Sequence, residues 1–208
     1  MIPLFVDLAE RRVIIFGGGE VAARKARYFS GEADVTVISR SHSKAVSKLP
    51  ITCTTLDLAD VSDEHLADLV DDAFIVIAAL SDKGQNNRIG RICRQKKVLF
   101  NNADGEAGDL IIPAVASGKR YKIAVSTSGK SPAVSRFIRE HLESTFTRLD
   151  EMIDLQDMLR RELKRSQPSR ERRTEVLRKV ARDQDIWNAL STSPEEAEDL
   201  ARRRYLHE

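Results

Sequence analysis

Between Arg12 and Phe100, short apolar runs alternate with stretches in which apolar residues recur every three or four positions. The runs RVIIF at 12–16, VTVIS at 35–39, AFIVIAAL at 73–80 and VLF at 98–100 have the length and branched, apolar character of strands covered on both faces. The intervening pieces, roughly 20–30, 62–69 and 85–95, have the length of crossover helices. Such alternation predicts βαβ units and a parallel sheet, an α/β fold of the Rossmann type.

The pattern changes after Pro113. YKIAVST at 121–127 reads as one more strand, followed by Ser128-Gly129-Lys130-Ser131-Pro132. Ser131 is placed to cap a helix with Pro132 at its first position. Apolar residues then recur at Val134, Ile138, Leu142, Leu149, Ile153 and Leu159, which predicts a long amphipathic helix with a break near Thr147. A polar stretch at Ser166–Ser169 interrupts the pattern, a shorter helix carrying Val176, Leu177 and Val180 follows, and Ser193-Pro194-Glu195-Glu196 forms a capping box for a last one. The expected organisation is a Rossmann domain over 1–113, a segment over 114–150 and a helical carboxy-terminal region over 151–208. That last region is too small to cover its own apolar stripes and needs either the preceding core or a second subunit.

The strand at 12–16 runs directly into Gly17-Gly18-Gly19-Glu20-Val21-Ala22, which fits G-x-G-x-x-A in the strand-to-helix setting that pattern requires. Gly17 permits the tight turn, Gly19 lets a pyrophosphate approach the backbone, and Ala22 keeps the helix close to the sheet. The helix amides, with Glu20 and Val21 in the first turn, then receive the phosphates. The second strand ends in Ser39-Arg40-Ser41 where an Asp or Glu usually holds the ribose. Arg40 suits a 2′-phosphate, whereas Ser39 suits a ribose hydroxyl with Arg40 stacked on adenine, so NAD is expected and NADP is left open. Asp34 precedes its strand and does not replace the missing acid.

Composition adds three constraints. With 41% hydrophobic and 32% charged residues over 208 positions, the chain can build a core and keep a solvated surface. Residues 160–182 hold ten Lys or Arg against three Asp or Glu, a local charge of +7 that leaves −5 for the rest of a chain whose net charge is +2. That segment lacks interleaved aromatics or a known reader motif, so no nucleic-acid partner is expected and a solvated helix face is the plainer reading. Cys53 and Cys93 lie on separate elements without a C-x-x-C, and read as buried small hydrophobes. His42, His65, His141 and His207 are scattered, so no fixed metal site is expected. The opening MIPLFVDLAERR lacks the charged start and long apolar run of a signal peptide, and no stretch approaches a membrane span. A cytoplasmic protein without a membrane partner is expected.

With the glycine turn in hand, GGGEVAARKARYFSGEADVTVIS closely resembles the opening of siroheme synthase amino-terminal modules and free-standing precorrin-2 dehydrogenases, whose helix carries an A-x-R-K signature, here Ala22, Arg24 and Lys25. Further matches follow in order over residues 1–145: the strand into Ala78-Ala79, Asn86, the Asn102-x-Asp104 turn, the run Asp109 to Ala114, and Ser126-Thr127-Ser128-Gly129-Lys130-Ser131-Pro132. Leu80 and Gly108 depart from the family's pattern.

The resemblance implies NAD-dependent oxidation of precorrin-2 to sirohydrochlorin and a homodimer formed through the segment after the Rossmann domain. Some relatives also insert ferrous iron. By motif match Asp104 is the general base, Ala79 and Asn102 join the cofactor site, and Ser126, Thr127, Ser128 and Lys130 meet the carboxylates of the tetrapyrrole substrate. The rival from another class is a nucleotide-sensing regulatory module, which would use the same glycine turn and have no need of Asp104.

Overall fold

A computed structural model of the chain describes residues 1–166 and 169–206. The chain divides into two compact units, Met1–Ile112 and Pro113–Glu208.

In the first unit, β1 (Arg12–Phe16), β2 (Asp34–Ser39), β3 (Thr52–Thr55), β4 (Ile75–Ala78) and β5 (Leu99–Asn102) form one sheet in the order β3-β2-β1-β4-β5. All pairings are parallel, with Phe16 opposite Ile38 on one side and Ala78 on the other. The two-residue period of the strands splits the core in two. Ile14, Phe16, Val76 and Ala78 point into one apolar cluster, while Val13, Ile15, Ile75 and Ile77 point into the other. Helices α3 (Asp63–Val70) and α4 (Lys83–Lys96) supply Leu66, Ile89 and Cys93 to the first cluster. Helices α1 (Glu20–Phe29) and α2 (Lys44–Ser47) supply Ala22, Ala26 and Val46 to the second. The α/β fold with a parallel sheet is therefore as expected.

Two elements of this unit escape the hydrophobic pattern. The short α2 is held by its Ser43 cap, and β3 is the sequence TCTT, exposed along its length. It lies at one edge of the sheet and none of its four residues is covered, so it needs no apolar run. This corrects the expectation for Cys53, which is exposed, whereas Cys93 is buried. Burial, with the Asp109 carboxylate nearby, pushes the Cys93 thiol up to about 12.

In the second unit, β6 (Ala114–Ser117) and β7 (Lys122–Val125) form an antiparallel hairpin, and α5 (Pro132–Thr145) packs on it. The long apolar stripe is indeed interrupted: Phe146 ends α5, and α6 (Leu149–Ser166) follows. Asp150 at the start of α6 accepts from the backbone N–H groups of Lys119 (2.9 Å) and Arg120 (2.8 Å), tying the hairpin to that helix. Helices α7 (Arg170–Arg182), α8 (Gln184–Thr192) and α9 (Pro194–Tyr205) complete the unit. Met152, Leu155 and Leu159 of α6 make a core with Val180, Ile186, Leu190, Ala197 and Ala201. Of the polar interruption at 166–169, Gln167 and Pro168 lie outside the described residues, and Ser169 caps α7 through the N–H of Arg172. Ser193 caps α9 through the N–H of Glu196, as its sequence predicts. No helix of the described residues is long and apolar enough to cross a membrane.

Candidate dinucleotide site and the Asp104 turn

The glycine turn sits at the carboxyl end of β1. Gly17 has φ +124°, and a Cβ there would run into the carbonyl of Ala79 at the end of β4. Its N–H donates to Ile38 O (2.9 Å), and Ala79 N–H donates to Phe16 O (2.8 Å), so the turn is clamped between β2 and β4. From β1 the chain moves to β2 on one side and later to β4 on the other, which makes this crevice the switch point of the sheet, where α/β folds bind ligands. Gly19 is the N-cap of α1, is exposed, and has no atom within 4 Å of the place a Cβ would occupy. Open backbone in front of the free amides of a helix is a fitting seat for a pyrophosphate. Glu20 and Val21 are exposed in the first turn and Ala22 is fully buried against the sheet.

At the carboxyl end of β2 the two residues expected at the ribose differ in exposure. Ser39 is only 8% exposed, with its hydroxyl tucked against Gly18, whereas Arg40 is exposed. On α1, Lys25 is half-buried, and burial followed by the neighbouring Arg24 charge holds its ammonium below the usual lysine range.

The Asp104 turn leaves β5 next door. Ala103 N–H donates to Ala78 O (2.9 Å), hanging the turn from the end of β4. Its backbone is held on both sides of Asp104. Asn102 Oδ1 accepts from Asp104 N–H (3.2 Å), and Asn86 Nδ2 donates to Asp104 O (3.1 Å). Asn86 is 0% exposed and also pairs with both backbone groups of Leu80, accepting from its N–H (3.1 Å) and donating to its carbonyl (3.0 Å). Asn102 Nδ2 donates to Asn87 Oδ1 (3.2 Å) and Glu106 O (2.9 Å), so its amide is taken up by the turn. Asp109 closes the loop by accepting from Phe100 N–H (3.2 Å). The Asp104 carboxylate itself is exposed and meets Lys83 Nζ at 3.1 Å. Lys83 and Asn87 carry no motif, and only their folded neighbours reveal them.

The serine-rich loop belongs to the second unit. Thr127 Oγ1 accepts from Ser131 N–H (3.1 Å), donates to Ser131 O (3.0 Å) and meets Ser135 Oγ (3.1 Å), so this hydroxyl knits the loop to the start of α5. Ser126 Oγ accepts from Ser128 N–H (3.1 Å). Ser128, at φ +54°, and Lys130 are exposed. Ser131 caps α5 through Val134 N–H (3.3 Å). Among the described residues no group of three or more His, Cys, Asp or Glu is arranged to hold a metal, and His207 lies outside them. In the basic segment, Arg161 pairs with Asp157, and Arg172 and Lys179 pair with Glu175, as on a solvated helix face.

Residues 4–114 match the family described as putative NAD(P)-binding, and residues 122–145 match the central part of sirohaem biosynthesis proteins. A precorrin-2 dehydrogenase from Methanosarcina barkeri is 40% identical over 205 residues, 96% of this chain and 91% of that protein. The chain belongs to the precorrin-2 dehydrogenase family. A siroheme synthase of Klebsiella pneumoniae is 34% identical over 145 residues, which are 69% of this chain and 30% of that much longer protein. The solved structure of SirC, a precorrin-2 dehydrogenase, matches the fold with a TM-score of 0.71 at 24% identity, covering 98% of this chain and all of that one. The NAD(P)-binding match and the precorrin-2 dehydrogenase relative support an NAD-type cofactor, and the open backbone at Gly19 has the form that a pyrophosphate requires.

Proposed function

We propose that this protein dehydrogenates precorrin-2 to sirohydrochlorin with NAD, using Asp104 as general base. The observation that carries the reading is the joint Ala78–Ala79. Ala79 backs the glycine turn while the carbonyl of Ala78 suspends the turn bearing Asp104, so neighbouring residues at the end of β4 anchor both the glycine turn and the turn that carries an exposed carboxylate.

Bound NAD would supply the hydride acceptor. The chain's own part is to seat the pyrophosphate on the Gly19 and α1 amides, with Gly17, Glu20, Val21 and Ala22 shaping the seat, and to take a proton at Asp104 Oδ. Ala79, Ser39, Arg40 and Asn102 complete the cofactor site in this reading. Asn102 acts through the turn it closes, and the buried Ser39 leaves Arg40 as the exposed group at the ribose end. Ser126, Thr127, Ser128 and Lys130 are donors for substrate carboxylates, with Thr127 ordering the loop and Lys130 offering an exposed charge. The protein works in the cytoplasm as a homodimer formed through residues 114–150, followed by the helical region over 151–208. Iron insertion would call on the same Asp104.

The test is anaerobic turnover of precorrin-2 with NAD or NADP, following tetrapyrrole spectrum and reduced nicotinamide together, with and without ferrous iron. Sirohydrochlorin and reduced cofactor should appear in equal amounts, and the faster cofactor identifies the role of Arg40. Asp104→Asn should bind NAD normally and lose about 10²-fold or more in turnover. Near-normal turnover by Asp104→Asn would remove the base assignment. Absence of any reduced nicotinamide from folded protein would instead favour the sensing module.

A further inference from the structure

Asn86 and Asn87 stand three and four residues after Lys83 at the start of α4, so the three share one face of that helix. All three engage the turn that carries Asp104. Asn86 holds its backbone. Asn87 offers one oxygen to two donors, Asn102 Nδ2 (3.2 Å) and the Glu106 N–H (3.0 Å). The turn is wound round that oxygen: Gly105 lies at φ +142°, and a Cβ on it would stand 2.5 Å from Asn87 Oδ1 and 2.7 Å from Asn102 Nδ2. Lys83 Nζ meets Asp104 Oδ1 at 3.1 Å with the two side chains 66% and 60% exposed. An ion pair so open to water contributes little to stability. Its consequence is orientation, since of the described cations Lys83 alone pairs with this carboxylate at ion-pair distance.

We propose that Lys83 and Asn87 are positioning residues of the dehydrogenase, Asn87 setting the path of the turn at 102–106 and Lys83 setting the direction of the Asp104 carboxylate. The inference rests on Asp104 as general base. Proton transfer requires the carboxylate within hydrogen-bond reach of the departing proton, and displacement by an ångström is felt in the rate rather than in binding.

The experiment measures kcat, KM for precorrin-2 and calorimetric NAD affinity in Lys83→Met, Lys83→Arg, Asn87→Ala and Asn87→Asp, beside Asp104→Asn. Lys83→Met and Asn87→Ala should each lower kcat about tenfold while KM and NAD affinity stay within about twofold. Lys83→Arg keeps a cation and Asn87→Asp keeps the acceptor oxygen, so both should recover most of kcat. A raised KM for precorrin-2 with unchanged kcat in Lys83→Met would make Lys83 a substrate contact and overturn the proposal. Wild-type turnover in Lys83→Met and Asn87→Ala, with Asp104→Asn inactive, would overturn it while leaving the base in place. Normal turnover in Asp104→Asn would remove both. If Asn87→Ala does not fold, Lys83→Met on the exposed surface decides alone.

Discussion

Gly17 and Gly19 stand two residues apart in one motif and answer to different constraints. Gly17 needs both its φ of +124° and its missing side chain, because the Ala79 carbonyl occupies the space a Cβ would take. Gly17→Ala should therefore cost about 2–4 kcal/mol of stability, from strain and overpacking together. Gly19 has an ordinary φ of −87° and open space before it. Gly19→Ala should stay within about 1 kcal/mol of wild type in urea unfolding, the size of an N-cap change. Its methyl group should nonetheless weaken NAD binding measured by calorimetry. Equal NAD affinity in Gly19→Ala would place the pyrophosphate elsewhere. This motif was legible because strand, turn and helix follow one another in sequence. Asn87 was not, because its two partners lie fifteen and nineteen residues away and nothing local marks it.

Strands β1, β2 and β4 announced themselves because a parallel sheet clad on both faces demands continuous apolar runs, and β5 did so through Phe100 and the preceding Val98, which join one cluster. The edge strand β3 and the short β6 bear no such demand, and α8 hides behind a polar start. That start is Asp183, which organises the end of the second unit. Its carboxylate caps α8 through Asp185 N–H (2.9 Å) and accepts from Arg204 (2.6 Å) and Tyr205 (2.7 Å) on α9, with 9% of its side chain exposed. Burial pushes the carboxyl up, but the bonds from Tyr205, Arg204 and the Asp185 N–H outweigh it and hold the group below the ordinary aspartate value of 3.8. A depressed carboxyl contributes stability that is present above its unfolded value and lost as pH falls through the folded one. The helical unit should thus hold its Asp183 contribution down to about pH 4 and lose it below that. Asp183→Ala should cost about 2–4 kcal/mol at neutral pH, the sum of a lost cap and charge-assisted bonds. It should also flatten the acid limb of stability followed by far-UV circular dichroism. An acid limb unchanged in Asp183→Ala would assign that loss to other carboxylates.

At the scale of the whole molecule, the α5 surface is the feature that a single chain leaves unresolved. Val134, Phe137 and Ile138 fall at three- and four-residue spacing, which places them on one stripe of the helix, and Phe137 is 68% exposed. His141, one turn on, stacks on the Phe137 ring at 6.3 Å and is itself exposed, so it extends the stripe rather than forming a metal site. The flanks of the stripe are charged and internally paired, with Arg136 on Glu140 and Arg139 on Glu143. An apolar strip rimmed by polar residues is the form of a protein interface, and burying one large aromatic there contributes about 2 kcal/mol per subunit. A homodimer through residues 114–150 would cover it. Phe137→Glu places an unpaired charge in that interface while leaving the monomer's core untouched. Sedimentation should give twice the 23.3 kDa chain mass for the wild type and the single mass for Phe137→Glu at micromolar concentration. A wild type that sediments as a monomer would leave the stripe for another partner, and a Phe137→Glu dimer would move the interface off α5.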